Sequence, residues 1–153
     1  MTGGLIHKNG FTMVEILVVL ALIGLLAGVL ISRNQTSNTG IVSETAILKT
    51  YIRFVQSLAM ADNTKTWGIK IESNQYTLLE DSAPSAFSLP DTSSSVRPIP
   101  PATNVSILSI SPNDTISFDA WGSPGSQDYT IVLTDSANPN RTISVTKNTG
   151  FIP

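Results

Sequence analysis

Glu15 is the residue of this chain whose placement most plainly asks for chemistry. It is the only charge in the run "FTMVEILVVLALIGLLAGVLIS", and residues 16–31 are all apolar or glycine. A helix of about 20 apolar residues spans the hydrocarbon core of a bilayer, and residues 11–31 reach that length. A carboxylate inside that core costs about 3 kcal/mol or more, so it needs either water or a partner. Two readings follow. Glu15 lies near the leading end of the run, from where it can reach the headgroups. Alternatively it meets an ammonium. A cut between Gly10 and Phe11 would create an α-amino group shortly before Glu15, and a second copy's amine could pair with the carboxylate at low dielectric.

Other reactive groups are sparse. The sole histidine, His7, precedes the apolar run, so no His-based triad or histidine zinc site is available beyond it. There is no cysteine, hence no disulfide, thiol nucleophile or cysteine-bound zinc. Asp119, Asp128 and Asp135 could line a calcium site, but they lack EF-hand spacing and read rather as solvated loop and turn carboxylates. Trp67 and Trp121 could be ligand platforms or core and loop anchors. No glycine-rich phosphate loop follows a strand. Asn34, Asn104, Asn113 and Asn140 head N-x-Ser/Thr triplets, which a Ser/Thr-rich chain produces by chance. The expectation is a non-enzyme with no catalytic residue, cofactor, metal or small-molecule substrate. A net charge of -2 with 13% charged residues provides no broad basic surface for nucleic acid.

The stretch "KNG" followed by "FTMVEILVVLALIGLLAG" closely resembles the N-terminus of type IV prepilins. The shared pattern is a short basic leader ending in glycine, then Phe-Thr, then an acid at the fifth position after the cut, then an apolar run. It covers residues 8–31. The resemblance implies that prepilin peptidase cuts between Gly10 and Phe11, that Phe11 becomes N-methylated, and that Glu15 pairs with a neighbouring subunit's N-terminus during assembly. Gly24 stands where many pilins have a glycine, whereas Ser32 stands where many carry a proline. Lys8 ahead of the run puts the N-terminus in the cytoplasm by the positive-inside tendency, which Arg33 beyond the run weakens. The implied location is the bacterial inner membrane, crossed once, with the C-terminal domain periplasmic or extracellular, and then a pilus or pseudopilus.

The elements that must carry these residues divide the chain into four. Residues 1–10 are the leader, 11–31 the transmembrane helix, 32–62 its amphipathic continuation, and 63–153 a β-rich domain. The polar "SRNQTSNTG" is either weak helix or a melted stretch around residues 32–40. Ile47, Tyr51, Phe54, Val55 and Leu58 recur at helical spacing and predict a face that packs on the domain's own sheet or serves a partner. A helix continuous over residues 11–61 would be a rod of about 75 Å. "TWGIKIES" and "QYTLLED" read as a hairpin turning near Ser73 and Asn74. Residues 82–103, with prolines at 84, 90, 98, 100 and 101, read as a long exposed loop. Strands follow in "NVSILSIS", "DTISFDA", "QDYTIVLTD" and "RTISVTKN", the last two joined across "SANPN".

The residues "ISFDAWGSPG", "YTIVLTD" and "RTISVTKNTGFI" resemble the C-terminal half of the GspH/FimT group of minor pilins and pseudopilins, through Phe118, Gly122 and Gly150. The expected fold is therefore α+β, a pilin fold with a long N-terminal helix packed on an antiparallel sheet. The expected function is a structural subunit, a minor pilin or pseudopilin of a type IV pilus or type II secretion pseudopilus. Its partners would be prepilin peptidase, the inner membrane, and other pilin or pseudopilin subunits through the N-terminal helix. The alternatives are a major pilin and a DNA-binding competence-type pilin. The latter wants clustered cations, and the last strands offer mainly Arg141 and Lys147.

Overall fold

Near Asp62 the apolar pattern changes from the helical period to the two-residue period of strands, and the architecture changes with it. The computed structural model describes residues 12–33 and 39–153. Helix α1 is Met13–Arg33 and helix α2 is Thr39–Ala61; the strands are β1 Trp67–Ile71, β2 Gln75–Glu80, β3 Ala83–Pro84, β4 Val96–Pro98, β5 Val105–Ser111, β6 Thr115–Phe118, β7 Tyr129–Asp135 and β8 Asn138–Val145. The chain divides into two compact units, Met1–Ser37 and Asn38–Pro153. The proposed cut site at Gly10 and Phe11 lies outside the described residues. So do residues 34–38, and with them the question of a continuous or melted helix there.

In the first unit, α1 is apolar around its whole circumference. Met13, Leu17, Leu20 and Ile23 are all more than half exposed. A helix built this way has no amphipathic stripe to bury against a core of its own and suits an apolar environment on all sides. Among the described residues no helix is long and apolar enough to cross a membrane, the side chains of α1 being described only as far as Leu26.

The second unit is an α+β arrangement in which α2 packs on antiparallel sheet, and every strand pair in it is antiparallel. The buried face of α2 is Ile41, Leu48, Tyr51, Ile52, Val55 and Ala59. Of the face read from the sequence, Tyr51 and Val55 are buried, while Ile47, Phe54 and Leu58 flank the core partly buried. The true seam is thus turned towards Leu48 and Ile52, each completely buried and stabilising by about 1.5–3 kcal/mol. The helix runs out at Asp62. Its N–H still donates to Leu58 O at 2.9 Å, while its carboxylate accepts from the Thr64 N–H at 3.0 Å and the Thr64 hydroxyl at 2.6 Å, closing a turn.

There are two sheets where the sequence suggested one. The first has the order β3-β2-β1-β6 with β4 also paired to β2, and the second is β5-β7-β8. They are joined where Ile107 N–H donates to Ser73 O at 2.9 Å. The expected β1–β2 hairpin is present, with Trp67 opposite Glu80 and Ile71 opposite Tyr76. Two sequence expectations are corrected. Residues 82–103 are not an exposed loop throughout: β3 and β4 pair with β2, and Ser85, Leu89, Arg97 and Ile99 are buried. Prolines end short edge strands here rather than abolish them, because an edge strand needs only one row of hydrogen bonds. Nor is "SANPN" all turn. Strand β8 begins at Asn138, paired with Asp135, so only Ser136 and Ala137 make the connection.

Candidate functional site

Thr12 and Glu15 open α1 as a capping pair. The Thr12 hydroxyl accepts from Glu15 N–H at 3.2 Å, and Thr12 O accepts from Glu15 N–H at 3.1 Å and Ile16 N–H at 3.2 Å. This is the first half of the Thr-x-x-Glu capping box, and an acid in the first turn also suits the positive end of the helix dipole. The sequence reading missed Thr12, although the Thr-x-x-Glu signature ahead of an apolar run was there to be read. The Glu15 side chain is exposed among exposed apolar neighbours, with Val14 at 69% and Ile16 at 52%. A carboxylate is thus presented at the leading end of an apolar helix with no hydrogen-bond partner for its oxygens among the described residues.

In the second unit the glycines singled out in the sequence meet each other. Gly122 and Gly150 both have positive φ, +77° and +63°, a backbone state that L side chains rarely adopt. A Cβ on Gly150 would overlap Gly122 O and the Gln56 amide. Gln56 Nε2, from α2, donates to Gly122 O at 2.7 Å and lies 3.4 Å from Gly150 O. One helical glutamine therefore ties the turn after β6 to the turn after β8. Two further α2 side chains extend this ladder along the helix. Arg53 donates to Ile152 O at 3.0 Å, and Lys49 donates to Pro153 O. Gln56 carries no sequence signal, because a polar residue on a helix flank looks the same whether solvated or clamped. Phe118, the third member of the expected set, lies in the core.

A buried ionic cluster holds the proline-rich segment to α2. Arg97 on β4 donates to both oxygens of Glu44 on α2, the longer contact being 3.3 Å, and its Nε lies 3.4 Å from Asp91. Asp91 in turn accepts from the Tyr51 hydroxyl. The guanidinium carbon sits 5.6 Å from the Tyr51 ring centroid and 6.0 Å from that of Tyr76. Burial opposes the charge on Arg97, but the bond to Glu44 and its charge outweigh burial and raise the guanidinium pKa. Burial, followed by the hydrogen bond to Asp91, pushes the Tyr51 phenol up. Both ions are nearly completely buried, so neither can lose its partner cheaply. This cluster is an organiser of the fold, and it was invisible in the sequence because its members are 53 positions apart.

Of the acids considered as calcium ligands, Asp119 and Asp135 close local turns, while Asp128 ties to a residue 19 positions away. Asp119 accepts from Trp121 N–H at 2.9 Å and Ser123 N–H at 2.8 Å. Asp128 accepts from Lys147 N–H at 2.8 Å, and Asp135 from Ala137 N–H at 3.0 Å. Of the two tryptophans, Trp67 is a core residue against Phe87, their ring centroids 5.7 Å apart, while Trp121 is 88% exposed.

Residues 6–31 match the prokaryotic N-terminal methylation motif. That motif is a type IV pilin-like prepilin signal. Neither the curated proteins nor the solved structures provide a match to the chain.

Proposed function

We propose that this protein is a minor pilin or pseudopilin of a type IV pilus or type II secretion pseudopilus. Prepilin peptidase cuts it between Gly10 and Phe11, and Phe11 is N-methylated. The apolar helix holds the subunit in the bacterial inner membrane, N-terminus inward, until it is drawn into a filament where Glu15 pairs with a neighbour's terminal amine. The observation that carries this reading is the methylation motif over residues 6–31, which contains an exposed carboxylate in the first turn of an apolar helix. The α+β domain supports a pilin fold. The convergence of Gly122 and Gly150 supports the GspH/FimT group within it, since those residues carry the sequence resemblance. In the filament the helix exchanges lipid for neighbouring helices at little net hydrophobic cost. Intact-mass analysis of membrane-extracted protein tests the processing: the expected species begins at Phe11 and carries one added methyl group. A mature species that still begins at Met1, in cells containing the peptidase, would overturn the assignment. Co-purification with sheared pili, or with secretion pseudopili, then separates the two systems.

A further inference from the structure

The outer face of the first sheet holds a recess that neither the core nor the N-terminal motif accounts for. Strand alternation sends Trp67, Ile69 and Ile71 into the core and leaves Gly68 and Lys70 on the opposite face. Register then aligns two rows across that face, Leu79–Gly68–Ser117 and Thr77–Lys70–Thr115. These rows floor a cavity of about 610 Å³, within the range of roughly 300–1,000 Å³ typical of ligand sites. Beyond β2 the rows continue into Pro84 of β3 and Val96 of β4, which form one side. The floor is sunk for a face turned away from the core: Thr77 and Leu79 are only 7% and 9% exposed.

Three features bear on what the recess takes. Gly68 stands in the middle of a row, and its missing side chain makes the depression. A Cβ there would lie 3.0 Å from Ser117 Oγ and 3.1 Å from Ile116 O. A glycine inside a strand weakens it and marks a close approach by a ligand or another backbone. The lip is also unusual, since Asp81 and Ser82 both have positive φ, 51° and 70°. A two-residue hairpin turn of that kind is cheap for Asn-Gly and strained for Asp-Ser. It is held by Thr66, whose N–H donates to Asp81 Oδ1 and whose carbonyl accepts from Asp81 N–H, both at 2.8 Å. Finally the floor carries no unpaired charge, because Lys70 and Glu72 neutralise each other at 2.8 Å.

A neutral recess that combines hydroxyl groups with apolar surface fits a ligand with an apolar ring face and a rim of uncharged hydroxyls. We propose that this recess binds a neutral saccharide, the ring resting over Leu79 and Gly68 and its hydroxyls meeting those of Thr77, Thr115 and Ser117. An acidic glycan or a phosphate would find no unpaired cation on the floor. An extended peptide pairs at a strand edge rather than across a face, and the floor of this recess is the face of β1 between β2 and β6. The proposal stands independently of the filament assignment. The test is to screen the full-length chain, in a detergent without a sugar headgroup, against an array of neutral and acidic oligosaccharides. Calorimetric titration with maltotriose, cellotriose, chitotriose and the best array hits follows. Saturable binding of a neutral sugar is expected, weakened several-fold by Ser117→Ala and abolished by Ser117→Arg. Ser117 is exposed, so both variants should melt like the parent. Absence of saturable binding by any neutral sugar in the millimolar range overturns the proposal. So does a preference for acidic sugars, or neutral-sugar binding that survives Ser117→Arg.

Discussion

At the scale of single residues, Thr12 and Glu15 separate two functions that occupy one turn of helix. Thr12 closes the helix start, and its replacement by alanine should weaken that start by about 1 kcal/mol while leaving the carboxylate in place. Glu15→Gln does the reverse. It keeps size and hydrogen-bonding capacity but removes the charge, so insertion into a bilayer should be at least as good as before. Glu15→Gln should therefore be processed normally and be strongly reduced in filaments, with Thr12→Ala reduced much less; immunoblots of sheared filaments against membrane fractions measure both. Wild-type incorporation of Glu15→Gln would leave the carboxylate with its local role at the dipole end alone. Gly150 illustrates a different kind of constraint. Alanine there must adopt φ +63° and would overlap Gly122 O, a backbone atom that cannot rotate away. Gly150→Ala should cost about 2 kcal/mol or more, read by thermal or denaturant unfolding.

At the scale of elements, the Glu44–Arg97 pair decides whether the 82–103 segment is part of the domain. Glu44→Gln leaves a buried guanidinium facing only Asp91, which is half exposed, and should destabilise by roughly 3 kcal/mol. Replacing both partners by methionine should cost less than the two single changes summed, because no charge is then left unmatched. Amide exchange of Leu78 and Leu89, which donate to Ser95 O and Ser94 O, should rise first in Glu44→Gln. This segment is also where the sequence was hardest to read. Its prolines and serines announce turns, while the buried Leu89 and Ile99 are single apolar residues without a period. By contrast β1 and β6 alternate apolar residues with polar ones or glycine, and β2 and β7 nearly do, so their positions were legible. The helix face was legible only approximately. Aromatic residues drew attention to Tyr51 and Phe54, whereas the buried centre is marked by Leu48 and Ile52. Of the N-terminal site, Gly10, Phe11 and Glu15 stood out because leader, run and acid are contiguous. Gln56, Arg53 and the sheet recess depend on contacts between distant strands and turns, and no local pattern encodes those.

At the scale of the whole molecule, every large buried apolar residue among the described ones lies between Ile41 and Ile152, within the second unit. A chain of residues 39–153 should therefore fold alone as a soluble domain with the melting behaviour of the full protein, checked by circular dichroism. Its response to acid follows from four half-buried carboxylates. Hydrogen bonds from Lys70 and then Gln75 hold Glu72 below its usual 4.5, and Lys65 followed by Ser85 does the same for Glu80. Hydrogen bonds from Thr64 hold Asp62 below its usual 3.8, and Ala137 followed by Asn138 does so for Asp135. A depressed native pKa means that the unfolded chain binds protons first, so this stability is complete above the ordinary carboxylate values and fades as pH falls through the native ones. Lys65 and Lys70 are raised above 10.5 by Glu80 and Glu72, so their share is lost only at strongly alkaline pH. The melting temperature should thus be level from about pH 5 to 9 and fall below about pH 4, where the protonated carboxylates leave the domain's lysines and arginines unopposed. All four carboxylates are in part reached by solvent, so the effect is small per group and screened by salt. Glu72→Gln combined with Glu80→Gln should flatten the acid limb while leaving the plateau nearly unchanged. An acid limb of unaltered steepness in that double variant would overturn this assignment of the acid response to Glu72 and Glu80.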